Sequence, residues 1–194
     1  MRRTLLALSL ALPFSQPLFA HEHHDHEHDS LGAHEHGVAS LNLVVDGNQV
    51  SLELDSPAAN LVGFEYQPST EADLATVARV KSELQQANGL FTLTPAAGCQ
   101  LQQVELDSPL FAAHDHDEHE GHDHADDDQD GHAEHADIQG RFDYTCDAPE
   151  HLEALTLPLF NTYPAMQRIQ VQAITASGQH GAALSADQPT LPLD

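Results

Sequence analysis

The chain has 194 residues, 31 acidic against 6 basic, for a formal charge of −25, with 16 histidines, two cysteines and no tryptophan. A surface so anionic repels nucleic acid and anionic membrane surfaces and draws cations to it. Solubility alone needs only Asp and Glu, so the histidines require a separate explanation.

The first twenty residues, MRRTLLALSLALPFSQPLFA, combine a basic start (Arg2, Arg3), an apolar run (Leu5 to Phe14) and a small final residue (Ala20), the parts of a cleavable secretory signal. The run is about half the roughly 20 apolar residues that a membrane span requires, and Pro13 and Pro17 interrupt it, so stable membrane insertion is not expected. The mature protein is expected in the periplasm. In that oxidising compartment Cys99 and Cys146, the sole cysteines, are expected to form a disulfide.

Residues 21–36, HEHHDHEHDSLGAHEH, hold His21, His23, His24, His26, His28, His34 and His36. Residues 114–135, HDHDEHEGHDHADDDQDGHAEH, hold His114, His116, His119, His122, His124, His132 and His135. Leu31 is the one large apolar side chain in either window, so neither can bury enough surface to offset the entropy of ordering, and both are expected to be disordered.

Between and after the windows the pattern is that of a folded domain spanning 37–194, with 114–135 as an insertion. Residues 38–55 alternate apolar and polar around Asp46-Gly47-Asn48, a hairpin signal with Leu41, Leu43, Val45, Val50, Leu52 and Leu54 inward. From 69 to 88 the period turns helical, with Leu74, Val77, Leu84 and Ala87 on one face, a Thr70 to Asp73 capping box and a stop at Gly89. Further strands are predicted at 90–94, 100–107, 137–147, 152–157, 168–175 and 181–186, with Ile138, Gly140, Phe142, Tyr144 and Cys146 sharing one face. The fold class is mainly β (α+β): one antiparallel β-rich domain, a sandwich or curved sheet, with one helix at about 70–88. The insertion is expected to hang from a base closed by the disulfide.

Imidazole is the commonest nitrogen ligand for zinc, copper and nickel, and carboxylates add oxygen ligands or orient the rings. Alternating His with Asp and Glu therefore supplies many overlapping ligand sets, and all fourteen window histidines are candidate ligands for several zinc ions. Copper and nickel are the alternatives, because the affinity order favours Cu(II) over Zn for almost any such set; His23, third from a new terminus at His21, would form an amine-terminal copper or nickel site. His21, His23, Asp25 and His26 also match an H-x-H-x-D-H hydrolase pattern, but in so biased a segment the match is expected by chance, and catalytic ligands need rigid support. No enzymatic activity is expected.

The stretches HGVASLNLVVDGNQVSLELDSPAANLVGFEYQP (36–68), GCQL (98–101), ADIQGRFDYTC (136–146) and PLFNTYPAMQRIQVQ (158–172) resemble the ZrgA family of zinc-regulated periplasmic proteins. The resemblance implies zinc homeostasis in Gram-negative bacteria, in proteins with a His-rich insertion produced under zinc shortage beside high-affinity uptake. His36 stands in the family's opening motif, and His135 just precedes the ADIQGRFDYTC strand, so these two are candidates for a better-ordered site. Tyr66 departs from the family's expected GFEH. The function read from the sequence is periplasmic zinc capture or buffering that supports delivery to an uptake system, the periplasmic component of a zinc ABC transporter being the partner in view. The rival readings are a copper or nickel chaperone and a zinc transporter's own substrate-binding component.

Overall fold

The structure, a computed structural model, describes residues 35–87, 89–112 and 135–193. The signal segment, the first window up to His34 and the insertion from 113 to 134 lie outside the described residues, and so do the expectations of cleavage and disorder placed on them.

Strands β1 (Val38–Asp46) and β2 (Gln49–Pro57) form the predicted hairpin, joined through Gly47 at φ 59°. Leu41, Leu43, Val50, Leu52 and Leu54 are buried and Val45 partly so, because a period of two places them on the face turned to the core. Thr70 caps helix α1 (Glu71–Gln86), its hydroxyl accepting from Asp73 N–H and bonding to the Asp73 carboxylate at 2.8 Å. The buried stripe is Val77, Val80, Leu84 and Ala87, whereas Leu74, expected inward, is 43% exposed. At 3.6 residues per turn Leu74 lies about 100° from the middle of that stripe. The helix packs on β4 and on the 3-10 turn at Pro109–Phe111.

The remaining strands are β3 (Thr92–Leu93), β4 (Cys99–Asp107), β5 (Asp137–Cys146), β6 (Ala154–Thr156), β7 (Arg168–Thr175), β8 (Gly178–Leu184) and β9 (Thr190–Pro192), with a one-turn helix α2 (Leu159–Thr162) after β6. They form a six-stranded sheet in the order β4-β5-β2-β1-β7-β8 and a three-stranded sheet β3-β6-β9. The fold is mainly β, with one long helix, as the periodicity predicted. Phe91 beside β3 and Phe142 on β5, both buried with ring centroids 4.8 Å apart, join the two sheets through one core. Pairing is antiparallel throughout except between β1 and β7, which run parallel from Val38↔Arg168 to Val44↔Ile174. Alternation marks which face of a strand is buried but not its neighbour, so this pairing was not legible.

Cys99 and Cys146 are bonded and directly opposite each other in the β4–β5 register. The disulfide does not close the base of the insertion. The ladder runs from Cys99↔Cys146 to Asp107↔Gln139, so the bridge sits at the far end of the pair, about 25 Å of strand from the insertion. The base is instead closed by strand pairing and by Ser108 Oγ, which donates to Asp137 O at 2.6 Å.

Candidate metal centre

Three neighbouring strands end together on the insertion side of the large sheet. β1 begins there at Val38, β2 finishes there at Pro57 opposite Asp137, and β5 begins there. Just outside these ends stand His36, one residue before Gly37; Glu65, beyond the 3-10 turn Ala58–Asn60; and His135, two residues before β5.

Their ligand atoms converge. One imidazole nitrogen from each histidine and a Glu65 carboxylate oxygen lie within 4.8 Å of one another. His36 Nε2 is 2.9 Å from Glu65 Oε1, and His135 Nδ1 contacts Glu65 Oε2. The side chain of Glu65 is only 10% exposed, whereas those of His36 and His135 are 64% and 68% exposed. The carboxylate is thus the inner group of the cluster and the two rings are its rim.

Local sequence explains the placement. Val38 N–H bonds to Glu35 O across a tight turn with Gly37 at φ 86°, a conformation that favours glycine, and a Cβ there would approach the Gln167 side chain to 3.2 Å. After the 3-10 turn, Val62 N–H and Gly63 N–H return to Ala58 O and Ala59 O, and Gly63 at φ 90° redirects the chain. Phe64 then packs on the core and stacks with exposed Tyr66 at 4.7 Å, leaving Glu65 between them directed at the histidines.

A buried carboxylate costs free energy unless paired, hydrogen-bonded or bound to a cation. Glu65 Oε1 makes no hydrogen bond although His36 Nε2 is at contact distance. Such a set, two imidazoles and a carboxylate nearly in contact, is what a divalent ion draws together. A tetrahedral zinc with ligands at about 2.0–2.1 Å holds them about 3.3 Å apart. The donors fit zinc: both sulfurs are locked in the disulfide, so the set is nitrogen and oxygen without soft thiolate. A zinc held by these three side chains would have a fourth position for water or an incoming ligand.

Of the fourteen histidines predicted as ligands, the structure brings together His36 and His135. His21, His23, His24, His26, His28, His34, His114, His116, His119, His122, His124 and His132 lie outside the described residues. His151 and His180 take no part in the cluster: His151 ends an exposed 3-10 turn, and His180 Nε2 bonds to Ser177 Oγ at 2.9 Å in the β7–β8 hairpin. Glu65 was missed. Among 31 acids it carries one distinguishing sign, its position in the mostly apolar LVGFEY segment, where a lone acid is partly enclosed by its neighbours. The departure at Tyr66 leaves the cluster intact, because the residue that joins it is the preceding one, Glu65.

A family model described as ZrgA family zinc uptake protein matches residues 33–193. No curated protein matches the chain.

Proposed function

The chain belongs to the ZrgA family of zinc uptake proteins, and on that premise we propose that it captures and buffers zinc in the periplasm and supports its delivery to an uptake system. The observation carrying this reading is the His36–Glu65–His135 cluster, an ordered three-ligand set at the point where both histidine-rich windows join the domain. In this reading the windows are a reservoir of several weaker ions. Ordering even five residues of a loose segment costs about 5–10 kcal/mol against the roughly 10–16 kcal/mol of structural zinc binding. The ordered centre avoids most of that cost and is the tighter site.

Binding rather than catalysis is supported by the exposure of both imidazoles, since a catalytic zinc needs a shaped, water-excluding cavity over it. An open fourth position also suits a carrier, because a ligand from a partner, such as the periplasmic component of a zinc ABC transporter, can enter before the protein's own ligands leave.

The test is competition against a chromophoric zinc chelator with the mature protein and with His36→Asn, Glu65→Gln and His135→Asn variants. Each variant should lose the tightest equivalent and retain the weaker ones. Loss of no equivalent in any variant would refute the assignment. The metal is tested by elemental analysis of protein from zinc-starved and zinc-replete cells, where copper or nickel in place of zinc would favour the chaperone reading.

A further inference from the structure

One 3-10 turn touches the backbone beside both histidines of the cluster. Asn60, the last residue of the turn Ala58–Asn60, is buried to 3% exposure. Its Oδ1 accepts from Gly37 N–H at 2.7 Å, and its Nδ2 donates to Val38 O at 3.0 Å and to Ser56 Oγ at 3.2 Å. Both polar atoms of the amide are hydrogen-bonded, and it grips the residues immediately after His36. From the same turn Ala58 N–H bonds to Ala136 O at 2.9 Å, the residue immediately after His135. Four residues beyond Asn60 the chain has reached Phe64, and the next is Glu65. The far side of the Gly37 peptide is held as well, Gly37 O accepting from Gln167 N–H and Arg168 N–H at 2.8 and 2.9 Å.

We propose that Asn60 is a positioning residue for metal: without touching the ion, it fixes the turn that presents His36 to Glu65 and so sets the affinity of the ordered centre. This rests on the reading of His36, Glu65 and His135 as zinc ligands. The physical basis is that groups orienting metal ligands change affinity by roughly 10–100-fold when removed. A buried amide whose polar atoms are all matched leaves the turn little freedom. The alternative role, a mere strand-end fastening, would alter stability and leave affinity alone.

The experiment uses the full mature chain with the twelve other window histidines replaced by asparagine, so that the ordered centre is observed without the reservoir. Into this background are placed Asn60→Leu, which keeps similar volume and removes all three bonds, and Asn60→Asp, which keeps the acceptor for Gly37 N–H. Thr94→Val serves as the control, because Thr94 Oγ1 accepts from Glu153 N–H and Ala154 N–H in the small sheet, remote in sequence from the centre. Zinc affinity is read by chelator competition and geometry by the visible absorption of the Co(II)-loaded protein. Asn60→Leu should weaken zinc at least tenfold and alter the Co(II) bands, Asn60→Asp should do so less, and Thr94→Val should lower the thermal midpoint with affinity and bands unchanged. Unchanged affinity in Asn60→Leu, with His36→Asn and Glu65→Gln still abolishing binding, overturns the role of Asn60 and leaves the centre standing. If Asn60→Leu does not fold, unchanged affinity in Asn60→Asp overturns it equally. Binding that survives His36→Asn and Glu65→Gln overturns the centre itself.

Discussion

Zinc should stabilise the folded domain through the ordered centre, and the size of the effect follows from where the ligands come from. His36, Glu65 and His135 are widely separated in sequence and meet only when β1, β2 and β5 are aligned. The unfolded chain therefore lacks this site, and occupancy adds RT ln(1 + [Zn]/Kd) to stability, about 2.7 kcal/mol at a hundredfold excess over Kd. The window ligands behave oppositely. They are close in sequence, stay available in the unfolded chain and so contribute little net shift. For a domain of this size about 2.7 kcal/mol raises the thermal midpoint by roughly 5–11 °C. The assay is calorimetry or circular dichroism melting, with and without zinc, of the chain carrying asparagine at the twelve other window histidines, and of the same chain with Glu65→Gln. The parent should show the full rise and Glu65→Gln almost none. In the metal-free form Glu65→Gln should melt close to its parent, because the loss of the contact to His135 is offset by removal of a largely buried carboxylate. A rise of equal size in Glu65→Gln would refute the reasoning, as would the absence of any rise in the parent.

Deleting residues 114–134 while keeping His135 should remove about half of the total zinc capacity measured by calorimetric titration and leave the tightest equivalent in place; loss of the tight equivalent would place it in the insertion instead. Replacing Cys99 and Cys146 by alanine should cost about 4 kcal/mol in denaturant unfolding, since the bridge closes 47 residues, yet leave zinc affinity at the centre unchanged, because the bridge lies at the other end of the β4–β5 pair. Burial pushes the Tyr144 hydroxyl up to about 12 from its usual 10. The folded state thus holds that proton longer than the unfolded state, and the associated stability, complete below pH 10, is lost as pH rises from about 10 to 12. Tyr144→Phe should flatten that alkaline decline in a stability–pH profile, and an unchanged slope would show that other groups cause it.

Elements whose residues obey one period over several turns or pleats were legible: the 38–55 hairpin, the capped helix and the Ile138 to Cys146 strand. What escaped was non-local or too short. β9 has three residues, too few for alternation to exceed chance, and nothing in the 168–175 run indicates that it pairs parallel to β1. Leu74 was misplaced because an i to i+3 step at the edge of a stripe looks the same in sequence as one at its centre. The two histidines of the cluster could be singled out because each adjoins a strand. Glu65 could not be assigned, since its role depends on a buried turn that carries the chain back past two strand ends, and such a turn is set by hydrogen bonds to Asn60 and Ala58 that no periodicity records.

The parallel pairing of β1 with β7 has a consequence for the order of events after synthesis. The second-last strand of the large sheet, counted along the chain, is needed to flank the first, and residues 167 and 168 supply the N–H groups that hold Gly37. Contacts of that sequence separation close late and slow the search for the native topology. A nascent or truncated chain ending before Gln167 has all three ligands, His36, Glu65 and His135, yet lacks the neighbour that seats the first of them. If the cluster holds zinc as proposed, its competence is acquired only when the domain is completed.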